Sequence, residues 1–293
     1  MKNVLVYSAT GVQASPLLSL LQKGDYRTYA MTRNRANSTI EINESVTVLE
    51  VNTSDKSQLA NTNEGKDIVM LNLPFFSDDS MGKNAIEAAQ KTGVKLIIWN
   101  ANGAVPQETS ARYKMNIRME NMERLVASGI PYVVFQPTMY LENLLLPATV
   151  AAIQNNAAIE MIAPAEAPIP WMSTRDISEA MVKVIGRRDL WNNVLTVSGQ
   201  GVTGAQLAHG FSKALGKTIA YQQIEVKEYL RRLNQVMGEG QGEEIIGMGK
   251  QDDRPVRPAN FSKFTTLDAF ETLDFAPISI ENWVVENKQQ FLN

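Results

Sequence analysis

Residues 3–17 read NVLVYSATGVQASPL, an apolar run that breaks at a small-residue turn and re-enters an apolar-periodic stretch. A strand-to-helix turn binds phosphate when main-chain N–H groups point outward at a helix N-terminus and little side-chain bulk stands nearby. The spacing Ser8-x-x-Gly11-x-x-Ala14 supplies these conditions in weakened form. Gly11 lets the backbone approach a pyrophosphate, and Ala14 is small enough for close helix-on-strand packing. Ser8 stands where a first glycine is looked for, so its backbone must avoid φ > 0 or have that strain offset elsewhere. Its hydroxyl is also a candidate phosphate donor. A plain connection that holds no ligand is the competing reading of this stretch alone.

The end of the next β-rich run bears on that choice. It reads MTRNR over residues 31–35. An NAD site usually places Asp or Glu there to bind the ribose 2′-hydroxyl. Here Arg33 and Arg35 occupy the region, with Thr32 and Asn34 as hydrogen-bonding neighbours. Guanidinium groups match a 2′-phosphate through paired, charge-assisted bonds. A solvated basic turn is the alternative, but turn and arginines together favour NADPH.

Working outward, the chain alternates β-rich runs (NVLVYS, RTYAMT, VTVLEV, DIVMLNL, KLIIWN, YVVFQ) with helical patterns (PLLSLLQK, SQLANT, MGKNAIEAAQKTG, MNIRMENMERLVASG). Several runs are apolar on successive residues, as in parallel strands covered on both faces. This order predicts an α/β fold with a doubly wound parallel Rossmann sheet. Residues 1–146 form the expected NADP(H)-binding domain, and 147–293 a smaller α+β substrate-binding cap, with some segments returning to the first domain. In that second part VLTVSG reads as a strand, TIAYQQIE as a short one and VKEYLRRLNQVMG as a helix. Thr203 with Gln206 matches a capping box, and Ser173 with Asp176 marks another helix start. The glycine-rich, charged stretch 237–261 reads as a mobile loop around a short helix.

Composition excludes several chemistries. With no cysteine there is no disulfide, thiolate metal site or cysteine nucleophile, and the one histidine, His209, falls in a helical pattern away from any motif. No metal site is expected. The net charge of −3 comes with interspersed signs, so neither a nucleic-acid stripe nor a membrane-binding block is present. No signal-peptide layout and no long apolar run is found, which points to the cytoplasm.

At this point the sequence resembles the NmrA-like group of atypical short-chain dehydrogenases/reductases. YSATGVQASPLL is similar to that family's GATGxQG turn, and RNRA to its RN cofactor-selecting corner. QPTMYLENLL resembles its RPxxFxENxL segment, IPWMSTRDISEAMVKVI its V-x-D-I unit, and VLTVSGQGVTGAQLAHGFSKALG the strand and helix that follow. The resemblance implies NADP(H) at a turn made of Ser8, Thr10, Gly11, Val12 and Gln13, with Thr32, Arg33 and Asn34 at the selecting corner. It places Asn52 near the adenine, and Asn72, Leu73 and Pro74 beside the pyrophosphate and ribose. Asn100, Ala101 and Asn102 follow the fifth strand, and Pro137, Met139 and Tyr140 line the nicotinamide end. The rule that ligands bind outside the carboxyl ends of parallel strands independently puts these loops on one rim.

The acid of carbonyl reduction is missing. The wider superfamily uses Tyr-x-x-x-Lys, but four residues after Tyr113 stands Ile117. Isoflavone reductases carry a lysine on the helix before the IPY strand, and counting back from Ile130 puts Arg118 there. Arginine polarises an oxygen but does not readily give up a proton. Lys114, one helical turn earlier, and Tyr140 are the other candidate catalytic groups. Two functions remain open. One is an NADPH-dependent reductase of a small conjugated acceptor (quinone, enone or aromatic dye), with Pro74, Phe75, Phe76, Tyr140, Trp171 and residues from the glycine-rich stretch as pocket wall. The other is a non-catalytic NADP(H)-sensing regulator with a protein partner. Either is expected as a monomer or homodimer.

Overall fold

The computed structural model describes residues 1–11, 14–36, 44–73, 80–246 and 248–292. Val12 and Gln13 of the turn, and Pro74, Phe75 and Phe76, lie outside the described residues. Strands β1 (Lys2–Val6), β2 (Tyr26–Thr32), β3 (Val46–Glu50), β4 (Ile68–Asn72), β5 (Leu96–Asn100) and β6 (Tyr132–Pro137) alternate with helices α1 (Ser15–Gln22), α2 (Lys56–Asn63), α3 (Ser80–Lys91) and α4 (Tyr113–Ser128). After β7 (Met139–Tyr140) and a 3₁₀ turn over Leu141–Leu145 come α5 (Pro147–Asn156), β8 (Ala158–Met161), β9 (Ile169–Met172), α6 (Thr174–Lys183), β10 (Asn193–Val197) and β11 (Gly201–Val202). The chain ends with α7 (Gly204–Leu215), β12 (Ala220–Gln223), α8 (Val226–Met237), α9 (Gln241–Ile245), β13 (Leu267–Asp268), α10 (Ala269–Thr272), α11 (Ile280–Glu286) and α12 (Lys288–Phe291).

The large sheet has the order β13-β10-β6-β5-β4-β1-β2-β3, and its pairs are all parallel. This is a doubly wound Rossmann sheet, and the strand order reverses between β1 and β4. The continuous apolar runs follow from burial on both sides. β4 and β5 are buried at every position. Val6, Met70, Ile98 and Phe135 face α1 and α6, while Leu5, Leu71, Trp99 and Val134 face α2, α3 and α4. Helix α1 is too short to persist on propensity alone. Burial of Leu17, Leu18 and Leu21 holds it, at about 1.5–3 kcal/mol for each large apolar side chain removed from water.

The C-terminal half divides its elements. β10, β13 and α6 lie on the large sheet, because Ile177 and Met181 of α6 share a core with Leu17 and Leu21 of α1. The remainder closes around a second core that includes Leu144, Ile159, Trp171, Phe211, Trp283 and Phe291, beside the small sheets β11-β9-β7 and β12-β8. Both capping boxes form, Ser173 with Asp176 and Thr203 with Gln206.

The stretch read from sequence as a mobile loop is fastened along α4. Asn116 Nδ2 donates to Asp252 at 2.6 Å, Arg254 pairs with Glu120 at 2.7 Å, and Arg257 with Glu123 at 2.6 Å. Backbone bonds join Thr109 N to Arg257 O and Ala259 N to Gln107 O. The acidic face of α4 and the basic residues of this strap neutralise each other, which a local reading of glycines and charges does not reveal.

Candidate functional site

At the end of β1, Ser8 takes φ 52, a left-handed conformation that costs a non-glycine residue about 1–2 kcal/mol. The bonds on either side impose it. Tyr7 N donates to Met70 O at 3.0 Å, Ala9 N to Met31 O at 2.9 Å, and Gly11 N to Ser8 O at 3.0 Å. A Cβ on Gly11 would stand 3.3 Å from Ser8 O, so the turn is already closed at that point. Among the described residues no side chain caps α1, and Thr10 and Gly11 are exposed at the mouth of the turn. Ala14 N and Ser15 N both donate to Gly11 O and Pro16 has no N–H, so an anion at this helix end would be met by the amides of the turn before α1 rather than by its first turn.

At the end of β2, Thr32 Oγ1 donates to Asn34 O at 3.2 Å, and Asn34 Oδ1 accepts from Ala36 N at 2.9 Å. This corner leaves Arg33 and Arg35 exposed. The sequence reading missed Glu50, at the end of the neighbouring β3, whose carboxylate accepts from Arg35 N at 2.9 Å. Its signal was the strand-end register, Thr32 opposite Glu50. Asn52 is exposed at the approach to α2, and its Oδ1 is taken by Ser54 N at 3.0 Å.

The ends of β4, β5 and β7 meet in a buried amide cluster. Asn100 Nδ2 donates to Asn72 Oδ1 at 3.2 Å and to the Tyr140 hydroxyl at 3.1 Å. Asn100 Oδ1 accepts from Asn102 N at 3.0 Å, and Asn102 Nδ2 donates to Leu73 O. Ala101 is buried beside it, and Asn102 adopts φ 55. Several buried polar atoms here find no partner among the described residues: Asn72 Nδ2, Asn102 Oδ1 and Gln136 Nε2. Leaving such atoms unpaired costs about 1–3 kcal/mol each, so orphans gathered at strand ends point to a polar ligand. Gln136 was not singled out from sequence; a polar residue closing the apolar run YVVFQ was its signal.

Tyr140 is buried, and desolvation pushes its hydroxyl pKa well above the ordinary tyrosine range, partly opposed by the Asn100 bond. Arg118 on α4 lies within electrostatic reach of that hydroxyl. Burial lowers the proton affinity of its half-buried guanidinium, and Tyr140 opposes the shift. Gly103, at φ 132, gives the guanidinium room: a Cβ there would sit 3.2 Å from Arg118 Nη1. Lys114 lines the same pocket as Arg118. Pro137 is buried at the end of β6, and Met139 is 37% exposed. Trp171 is buried in the second core with its Nε1 unpartnered, and His209 lies on the exposed face of α7.

The described residues named from sequence at Ser8–Gly11, Thr32–Asn34, Asn72–Leu73, Asn100–Asn102 and Pro137 fall on one rim. They spread over five adjacent strands, β2-β1-β4-β5-β6, about 19 Å at ordinary strand spacing. The basic corner is at one end, and Tyr140 and Arg118 are at the other. The rim suits an extended ligand with an anionic end and a reactive end. No helix among the described residues is long and apolar enough to cross a membrane.

Comparison with known proteins agrees with this geometry. A model of the NmrA-like family matches residues 1–271. An NAD(P)H azoreductase from Xenophilus azovorans is 27% identical over 229 residues, which is 77% of this chain and 78% of that protein. Among solved structures, the triphenylmethane reductase of Citrobacter sp. is 19% identical with a TM-score of 0.76, covering 99% of each chain. NmrA, a negative transcriptional regulator solved with NADP, is 16% identical with a TM-score of 0.70, covering 97% of this chain and 94% of that one. At these identities the two structures speak for the fold.

Proposed function

The chain belongs to the NmrA-like family, and from that membership we propose an NADPH-dependent reductase that passes hydride to a small conjugated acceptor of the quinone, enone or aromatic-dye type. The observation that carries the reading is the cluster of Asn72, Asn100 and Tyr140 at the switch-point rim, with orphaned Asn72 Nδ2 and with Arg118 beside the hydroxyl. A dinucleotide fits the residues present. The uncapped turn at Ser8–Gly11 would take the pyrophosphate, Arg33 and Arg35 the 2′-phosphate, Asn52 the adenine side, and Asn72 and Asn102 the ribose. Bound there, NADPH would supply the hydride.

The chain's own residues do the rest. Tyr140, whose pKa burial raises, keeps its proton at neutral pH and offers a hydrogen bond to the acceptor oxygen. Arg118 remains cationic and stabilises negative charge as it grows on that oxygen. Lys114 adds a second positive charge one turn away. A delocalised acceptor takes hydride first, and water supplies the proton that completes the product. A strong general acid is therefore not required, which accommodates Arg118 and the absent Tyr-x-x-x-Lys pair.

The test is NADPH oxidation by a panel of quinones, enones and aromatic dyes. Turnover that Arg118→Ala abolishes, with NADPH affinity retained, supports the reductase. Tight NADPH binding with no oxidation by any acceptor removes it. That result would favour the second reading, a dinucleotide-sensing regulator, which the absent acid–base pair supports.

A further inference from the structure

Beside Arg118 a pocket of about 180 Å³ opens between the start of α4 and the segment around α9. Arg112, Lys114, Arg118 and Lys250 line it with four cations against one carboxylate, Glu244. Between these charged groups Met115, Ile245 and Ile246 add apolar wall. In a chain of net charge −3 this local excess runs against the overall balance.

The excess is not neutralised from nearby. Glu244 is engaged by the Lys250 amide at 2.8 Å. Among the described residues Arg112, Arg118 and Lys250 have no ion-pair partner, whereas Arg254 and Arg257 of the adjoining strap are matched by Glu120 and Glu123. Among the described residues Arg118 donates to Ala104 O, at 3.5 Å. The Lys250 ammonium lies 3.6 Å from the Tyr113 ring centroid, over an aromatic face at the edge of the pocket. Three cations without an ion-pair partner, set beside the apolar wall of Met115, Ile245 and Ile246, are complementary to an anion attached to a flat hydrophobic body.

We propose that this pocket seats the anionic substituent of the acceptor, so that the preferred substrates are aromatic compounds carrying a sulfonate or carboxylate. Turnover of such compounds rests on the reductase reading above; their binding does not. Arg112 and Arg118 are separated by six positions, roughly 9 Å at helical rise. That is the reach of a two-ring acceptor whose anion sits between Arg112 and Lys250 and whose reducible atom lies by Arg118 and Tyr140. A free phosphate would meet the charges but leave the isoleucines and Met115 without a partner. A neutral acceptor would fill the slot and leave the cations unanswered.

The experiment compares a naphthoquinone with its sulfonated derivative as oxidants of NADPH, using the full chain. The sulfonate should show a KM at least tenfold lower at low salt, with the gap narrowing as added salt screens the exposed charges. Arg112→Glu combined with Lys250→Glu should cut the sulfonate-to-neutral ratio of kcat/KM at least tenfold. Lys91→Glu, a charge change on the exposed side of α3, should leave the ratio alone. Arg112→Gln and Lys250→Gln, taken singly, serve if the double reversal does not fold. Direct binding of naphthalene sulfonate against naphthol is measured in parallel. Sulfonate binding that needs Arg112 and Lys250, without turnover of either quinone, keeps the pocket and removes the reductase. Equal binding of the two naphthalenes, indifferent to charge reversal, overturns the proposal whether or not NADPH is oxidised.

Discussion

The Tyr140 hydroxyl stands 3.1 Å from Asn100 Nδ2 and 3.3 Å from Asn100 Oδ1. Asn100 Oδ1 already accepts from Asn102 N at 3.0 Å, so the shorter contact, in which the hydroxyl accepts from Nδ2, is the stronger one. The phenolic hydrogen is then held only by the longer bond and can turn toward a substrate at little cost. Tyr140→Phe should lower kcat/KM by about 10–100-fold, the scale of one lost donor to a developing oxyanion, with NADPH affinity unchanged. Because burial raises the Tyr140 pKa, kcat should show no basic limb from this group between about pH 6 and 9. A limb in that range that disappears in the phenylalanine variant would remove the assignment.

Arg33 and Arg35 are both exposed cations of the corner after β2, and the Arg35 backbone amide is bonded to Glu50. The Glu50 carboxylate would disfavour a second anion at that corner unless guanidinium charge offsets it. Arg33→Ala should therefore weaken NADPH binding about 10–100-fold, the loss of one charged hydrogen-bonding partner, and leave NADH nearly untouched. Isothermal titration with both nucleotides reads the two affinities. An unchanged ratio would show that Arg33 does not select the cofactor.

Legibility from sequence tracked locality. β4 and β5 announced themselves because burial on both faces makes IVML and LIIW apolar without interruption. The capping boxes at Ser173 and Thr203 were readable because every partner lies within three residues. β7, β9, β11 and β13 are two to four residues long, and each is defined by pairing with distant chain, so no local period marks them. Asn72 and Asn100 were named through the family resemblance, but their mutual bond depends on the register of β4 with β5. The strap was legible in principle. Glu120 and Glu123 sit three apart on α4, as Arg254 and Arg257 do in the strap, and that shared spacing was the overlooked signal.

The strap gives a pH prediction. Asp252 is held well below the usual carboxylate range by Arg254 and then Asn116, and Glu123 is lowered by Arg257. A carboxyl whose folded pKa is depressed stabilises the fold above its unfolded pKa, about 4, and loses that contribution as pH falls through the folded value. The strap should therefore stay fastened at pH 7 and at pH 5 and loosen only in stronger acid. Hydrogen exchange at the Asp252, Arg257 and Ala259 amides reports this, since each donates across to the 107–111 segment or its side chains. Arg254→Glu with Arg257→Glu should deprotect the same amides at neutral pH. Unaltered protection in that variant would mean that backbone pairing alone fastens the strap.

Ser8 lets backbone shape and side-chain chemistry be separated in the phosphate turn. Its φ of 52 is one that glycine adopts freely and serine does not. Ser8→Gly removes about 1–2 kcal/mol of strain, while the freer glycine chain takes back about 0.4–1 kcal/mol through the unfolded state. The balance is a gain of about 1 kcal/mol, which raises Tm by about 2 °C in a chain of this length. Ser8→Ala keeps the strain and should bring no gain. In the proposed cofactor site main-chain amides would form the cradle in either variant, so Ser8→Gly should bind NADPH at least as tightly as the parent. An equal loss of affinity in the glycine and alanine variants would transfer the role to the hydroxyl. A Tm that falls in Ser8→Gly would show that the left-handed conformation is not where the strain lies.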